Sequence, residues 1–155
     1  MRQLAGVCLV VLVAWGIVTA QSQSDPRIWT WKVNLAKSKF QPDPPPESLV
    51  RTYELDGDAL KATIEVVTAE GDHRTSTYTA KYDGKEYAYT GRNVDTVALQ
   101  RVDDRTLEVT LKKGNKVVGT NRIVISKDGK TMTETLNEIN AMGLHVHNVV
   151  VYDKQ

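Results

Sequence analysis

Apolar and polar residues alternate along most of this chain with a period of two. Leu60, Ala62, Ile64 and Val66 alternate with Lys61, Thr63 and Glu65, and Leu107, Val109 and Leu111 with Glu108, Thr110 and Lys112. Such a period puts one set of side chains on each face of a strand, one buried and one wet, as in antiparallel sheets. The pattern predicts ten strands, at 29–33, 49–56, 59–68, 73–82, 85–89, 96–102, 106–112, 116–126, 130–139 and 144–152. Asp-Gly at 56–57, 83–84 and 128–129, with Glu70-Gly71, Asp103-Asp104 and Gly114-Asn115, punctuates them. Asp-Gly suits a two-residue hairpin loop in which both central residues have φ > 0. No stretch holds a 3.6-residue apolar period long enough for a packed helix. A meander of this length either leaves two open edges or closes, so the expected fold is all-β, an antiparallel up-and-down barrel of about ten strands.

One connection breaks the rhythm. Residues 34–46 hold Pro42, Pro44, Pro45 and Pro46, which remove backbone donors and favour extended geometry, so the segment is either a lid over one barrel end or a spacer across it. Two strands alternate poorly. Thr131, Thr133 and Thr135 face away from Met132, Glu134 and Leu136, and His145, His147, Val149 and Val151 face away from Val146, Asn148, Val150 and Tyr152. Whichever set points inward brings polar groups with it, which an enclosed, partly hydrated pocket tolerates better than a solid core does.

Composition narrows the setting. Residues 1–20 carry one charge, Arg2, and an apolar run from Leu4 to Val18 that ends in Val18-Thr19-Ala20, the pattern of a signal peptide cleaved after Ala20. The run is too short for a membrane span, and polar Gln21-Ser22-Gln23-Ser24 follows it. The expected organisation is a signal peptide at 1–20, a polar, frayed segment at 21–28 and one domain at 29–155, secreted or periplasmic, monomeric and without an integral span. Cys8 is the only cysteine and lies inside the run behind Val7, which argues against a lipoprotein and excludes disulfides and thiolate sites after cleavage. Of 20 basic and 19 acidic residues, the cleaved segment removes only Arg2, leaving a formally neutral domain with no pull toward nucleic acid.

Two distant stretches resemble the calycins, the superfamily of lipocalins and fatty-acid-binding proteins. Thr30-Trp31-Lys32-Val33-Asn34, followed by Lys37-Ser38-Lys39-Phe40, is similar to that superfamily's opening strand, whose tryptophan plugs one barrel end. Val151-Tyr152-Asp153-Lys154 is similar to the Val-Tyr-Glu-Lys ending of fatty-acid-binding proteins. The Lys127–Met132 turn and the Lys-Ser-Lys-Phe segment also resemble small exported bacterial lipocalin-like proteins of unassigned function. The departures are Trp29 in place of a lipocalin glycine, prolines in place of a helical lid, and Val150 where fatty-acid-binding proteins keep a carboxylate-gripping arginine. The resemblance matches the family's other pocket arginine to Arg122 and its tyrosine to Tyr152.

The candidate ligand-binding residues are therefore Trp31, Tyr53, Tyr78, Tyr82, Arg122 and Tyr152. Tyr78 and Tyr82 share a face with Ala80, and Tyr53 shares one with Leu49 and Leu55, so their amphipathic rings suit a pocket wall. Arg122 shares a face with Val118, Thr120 and Val124, opposite Val117, Ile123 and Ile125, and its side of the wall stays open. His145 and His147 stand at i and i+2, with His73 as the one other histidine, too few for a zinc site without carboxylate help. No nucleophile elbow or phosphate loop occurs. The leading expectation is a non-enzymatic protein, with no cofactor or metal, that holds a small hydrophobic or amphipathic ligand in an enclosed pocket. The rivals are a packed barrel acting as an envelope or interaction module, and a metal-dependent enzyme using His145 and His147.

Overall fold

In the computed structural model, which describes residues 25–140 and 142–155, the alternating segments pair in chain order. The strands are β1 (Thr30–Val33), β2 (Ser48–Asp56), β3 (Ala59–Val67), β4 (His73–Ala80), β5 (Asp83–Thr90), β6 (Thr96–Arg101), β7 (Thr106–Lys113), β8 (Lys116–Ile125), β9 (Thr131–Ile139) and β10 (His145–Lys154). Each is antiparallel to its neighbours, and β1 pairs with both β2 and β10, so the sheet is a closed ten-stranded barrel. The expected signal peptide lies outside the described residues. Among the described residues no helix is long and apolar enough to cross a membrane.

The two-residue period sorts the wall into an inner and an outer face. Leu60, Ala62 and Ile64 of β3, Val97 and Leu99 of β6, Leu107, Val109 and Leu111 of β7, and Ile123 and Ile125 of β8 are buried in one core. Trp31 lies in the same core with no exposed surface. Lys61, Glu65, Glu108 and Arg122 face water.

The hairpins differ from the expected geometry in one respect. Asp56 pairs with Ala59, so the two loop residues are Gly57 and Asp58, and among the described residues only glycines have positive φ. With φ of 62° at Gly57 and none at Asp58, the turn has the type II′ pattern, not the one that needs both central residues left-handed. Aspartate serves these turns through its side chain instead: the Asp128 carboxylate accepts from the Ser126 hydroxyl at 2.5 Å and the Lys130 N–H at 3.1 Å.

The segment 34–46 is not a lid in its first half. Asn34 caps a 3-10 turn over Leu35–Lys37, and the chain then runs beside β10. Lys39 exchanges both backbone hydrogen bonds with Val149, at 2.8 and 3.0 Å, and the Gln41 carbonyl accepts from the His147 N–H at 3.1 Å. Phe40 turns inward onto the core. The prolines then carry the chain to β2. Nor is the start of the described chain frayed: Asp25 and Arg27 are buried under the barrel.

The wall is thinnest between β4 and β5. Only Thr77–Thr90 and Tyr78–Tyr89 are in register there, whereas β3 and β4 share eight pairs. Gly91 closes this seam at φ 97°, against the backbone of Thr75 and Ser76. A Cβ at Gly91 would stand 2.0 Å from the Thr75 carbonyl oxygen, so the seam must open to accept one. Gly91→Ala is expected to lose about 3 kcal/mol or more in urea denaturation. Gly57→Ala, with open space around it, should lose roughly 1 kcal/mol from the positive φ alone; equal losses at the two sites would contradict the seam's role.

Candidate functional site

The inner face is not uniformly apolar. In phase with Leu49 and Tyr53 on β2 stands Arg51, in phase with Met132 and Leu136 on β9 stand Glu134 and Glu138, and in phase with Ile123 on β8 stands Asn121; all four are buried. Isolated charges in such a place are prohibitive, and these are not isolated. Arg51 reaches from β2 past β1 and β10 to Glu134, with Nη2 2.7 Å from Oε2. Its Nε donates to the Tyr152 hydroxyl at 3.0 Å and its Nη1 to the Tyr53 hydroxyl at 3.3 Å, while Tyr152 donates to Glu134 Oε2 at 3.0 Å. All three guanidinium nitrogens are thus engaged.

From Glu134 the polar line continues upward. The Asn121 amide nitrogen donates to Glu134 Oε1 at 3.3 Å and to Glu138 Oε1 at 3.0 Å. Arg92, in the connection between β5 and β6, crosses the opening to Glu138, with β6, β7 and β8 between them around the wall. Arg92 is well exposed, its side chain 41% accessible, whereas that of Glu138 is 7% accessible. Gly119 makes room for this arrangement, since a Cβ there would stand 2.9 Å from Glu138 Cγ. The line reads cation, carboxylate, amide, carboxylate, cation, and its charges cancel.

One atom on the line has no partner. Asn121 Oδ1 is buried and makes no hydrogen bond. Reversing the amide would aim Oδ1 at two carboxylates, so its orientation is set by Glu134 and Glu138.

The titrations follow from burial. Desolvation raises the phenols of Tyr53, Tyr78 and Tyr152, the latter two well above the usual value, so none supplies a phenolate base near neutrality. Burial also opposes the Glu138 charge, but the charge and hydrogen bond of Arg92, with that of Asn121, outweigh it and hold the carboxyl below its usual 4.5.

The two ends of the barrel differ. At the base, Asp25 accepts from Tyr82 Oη at 2.5 Å, from Arg101 Nη2 at 2.7 Å and from Arg27 Nη2 at 3.2 Å, and Trp31 Nε1 donates to the Arg27 carbonyl at 2.9 Å. Beside this plug lies an open cleft of about 540 Å³ between Asp25, Arg101, Asp103 and Lys127. At the other end, the mouth, a cleft of about 270 Å³ runs over the ends of β8, β9 and β10, lined by the inner-face Gly119, Glu138 and Val146 and by the outer-face Thr120, Asn137 and His147. Both clefts are open to solvent, unlike the enclosed pocket expected.

Of the candidate residues, Tyr53, Tyr78 and Tyr152 are buried in the interior, Trp31 lies at the base, and Tyr82 joins the base plug. Arg122 does not join them. It lies on the outer face of β8, half exposed and paired with Glu108 at 2.8 Å, so it cannot share an interior volume with Tyr152. The interior arginine is Arg51, legible in retrospect from its phase with Leu49 and Tyr53. Tyr89 also lies inside, its ring stacked 5.7 Å from that of Tyr78. His145 and His147 face solvent, His147 Nδ1 lying 2.6 Å from Asn137 Oδ1. Among the described residues no three His, Cys, Asp or Glu side chains converge as a metal site would need.

No protein-family model matches the chain, and no curated protein matches it significantly.

Because the Glu138 carboxyl binds its proton less tightly in the folded state than in the unfolded chain, the stability it contributes is complete above pH about 4.5 and lost as the pH falls through its lower folded value. Glu138→Gln should flatten the urea midpoint between about pH 3 and 5 relative to the parent. An unchanged pH profile in the variant would mean that Arg92 does not hold the carboxylate.

Proposed function

We propose that this chain is an exported, calycin-like binding protein, without catalysis, that takes a small, mostly apolar ligand through the mouth of its barrel. One observation carries the reading: Glu138 lines the mouth cleft and begins a buried polar line that runs into a closed barrel, on which the neighbouring Asn121 carbonyl has no partner. Buried polar atoms without partners are rare, and one beside a cleft-lining carboxylate is where a ligand donor would complete the network. Interior tyrosines supply an amphipathic wall, and Tyr78 and Tyr89 already stack there. Export rests on the apolar run that ends at Ala20. The calycin reading rests on the opening Trp31 segment and the Val151-Tyr152-Asp153-Lys154 ending.

A packed barrel working through protein contact has one observation in its favour, the complete engagement of Arg51 by protein groups. A neutral fluorescent dye separates the two. Nile red should bind saturably, one molecule per chain, with enhanced emission. Val117→Trp, which adds bulk at an exposed position lining the cleft, should weaken it by about tenfold or more. No saturable enhancement, or equal binding by the filled variant, would favour the packed module.

A further inference from the structure

The chemistry of the ligand's polar end follows from what the interior has left unsatisfied. A carboxylate entering the barrel would find no free cation, because every nitrogen of Arg51 is held by Glu134, Tyr152 or Tyr53. It would meet instead two carboxylates, Glu134 and Glu138, and the lone pairs of Asn121 Oδ1. A hydroxyl would satisfy Asn121 Oδ1 and nothing more. The one cation that balances Glu138 is Arg92, which reaches it from a connecting loop and remains 41% accessible. Such a side chain returns to water at little expense, and its departure leaves two carboxylates against Arg51 alone.

On the reading that the barrel binds a ligand through its mouth, we infer that this ligand carries an organic ammonium group, which replaces Arg92 on Glu138 and donates to Asn121 Oδ1. The head then satisfies the orphaned acceptor and restores neutrality in one step. Val117, Val118 and Val146 line the cleft beside Glu138 with apolar surface, which suits a cation's hydrocarbon body. Arg92 is a competitor for the site, a latch that the ligand must displace.

Three eight-carbon probes separate the alternatives by titration calorimetry at pH 7 on the whole protein: n-octylamine, n-octanol and n-octanoate. The amine should bind about tenfold tighter than the alcohol, the margin of a charge-assisted over a neutral hydrogen bond, and octanoate should be the weakest. Glu138→Gln should erase the amine's advantage over octanol, with far-UV circular dichroism reporting that the variant is folded. Arg92→Ala should tighten octylamine by about tenfold, a gain that no loss of folding can imitate. Octanoate binding tighter than the amine, or an undiminished amine preference in Glu138→Gln, would overturn the ammonium assignment alone. If none of the three probes binds, the interior-binding reading fails and the assignment falls with it.

Discussion

The rest of this barrel depends on the contact between Arg51 and Glu134. An arginine on the inner face of a closed sheet must be matched or expelled, and Glu134 lies three strands on, with β1 and β10 between, so the match exists only if the ring is closed through them. Removing one partner of such a pair leaves a buried charge at a loss of about 3–5 kcal/mol, a large part of a small domain's stability. The contact therefore ties barrel closure to register, because a slip of one residue in β2 would turn Arg51 to water and bring Val50 or Thr52 inward. It also determines the chemistry of the interior. An arginine spent on a glutamate cannot grip a ligand carboxylate, and the function usually associated with an arginine inside a barrel is closed off by the same contact that makes its burial tolerable.

The barrel is asymmetric for equally local reasons. Its base is closed by side chains with several partners each: Asp25 takes hydrogen bonds from Tyr82, Arg101 and Arg27, and the ring of Trp31 fills the space above them. Its mouth is crossed by one ion pair whose cation sits on a loop. Opening the base would break a buried network; opening the mouth exchanges a half-solvated guanidinium for water.

The architecture was readable from residues, and the interior chemistry only in part. The strands follow from the alternation most plainly where a buried face carries its own Leu, Val and Ile, as in β3 and β7. The face of β8 was ambiguous because both sides carry aliphatics: Val118 and Val124 beside Arg122, Ile123 and Ile125 beside Asn121. What decides it is Gly119, too small to register as a core residue, yet required where Glu138 needs space. Arg51, in phase with Leu49 and Tyr53 on β2, is legible in the same two-residue pattern. Arg92 is not, since loop residues have no period and its partner lies 46 residues away. The first hairpin differs from the expected geometry because Asp56 ends β2 and pairs with Ala59, leaving Gly57 and Asp58 as the loop residues with only the glycine left-handed.

On the proposal made above, a self-neutralised interior favours a ligand that donates and is cationic over one that accepts and is anionic. Native mass spectrometry of the protein purified from its own host, with the ligand released and identified by exact mass, tests it most directly. The expected result is a single bound molecule per chain, largely hydrocarbon and bearing a basic nitrogen. A bound fatty carboxylate, or protein that is empty in every preparation, would contradict it.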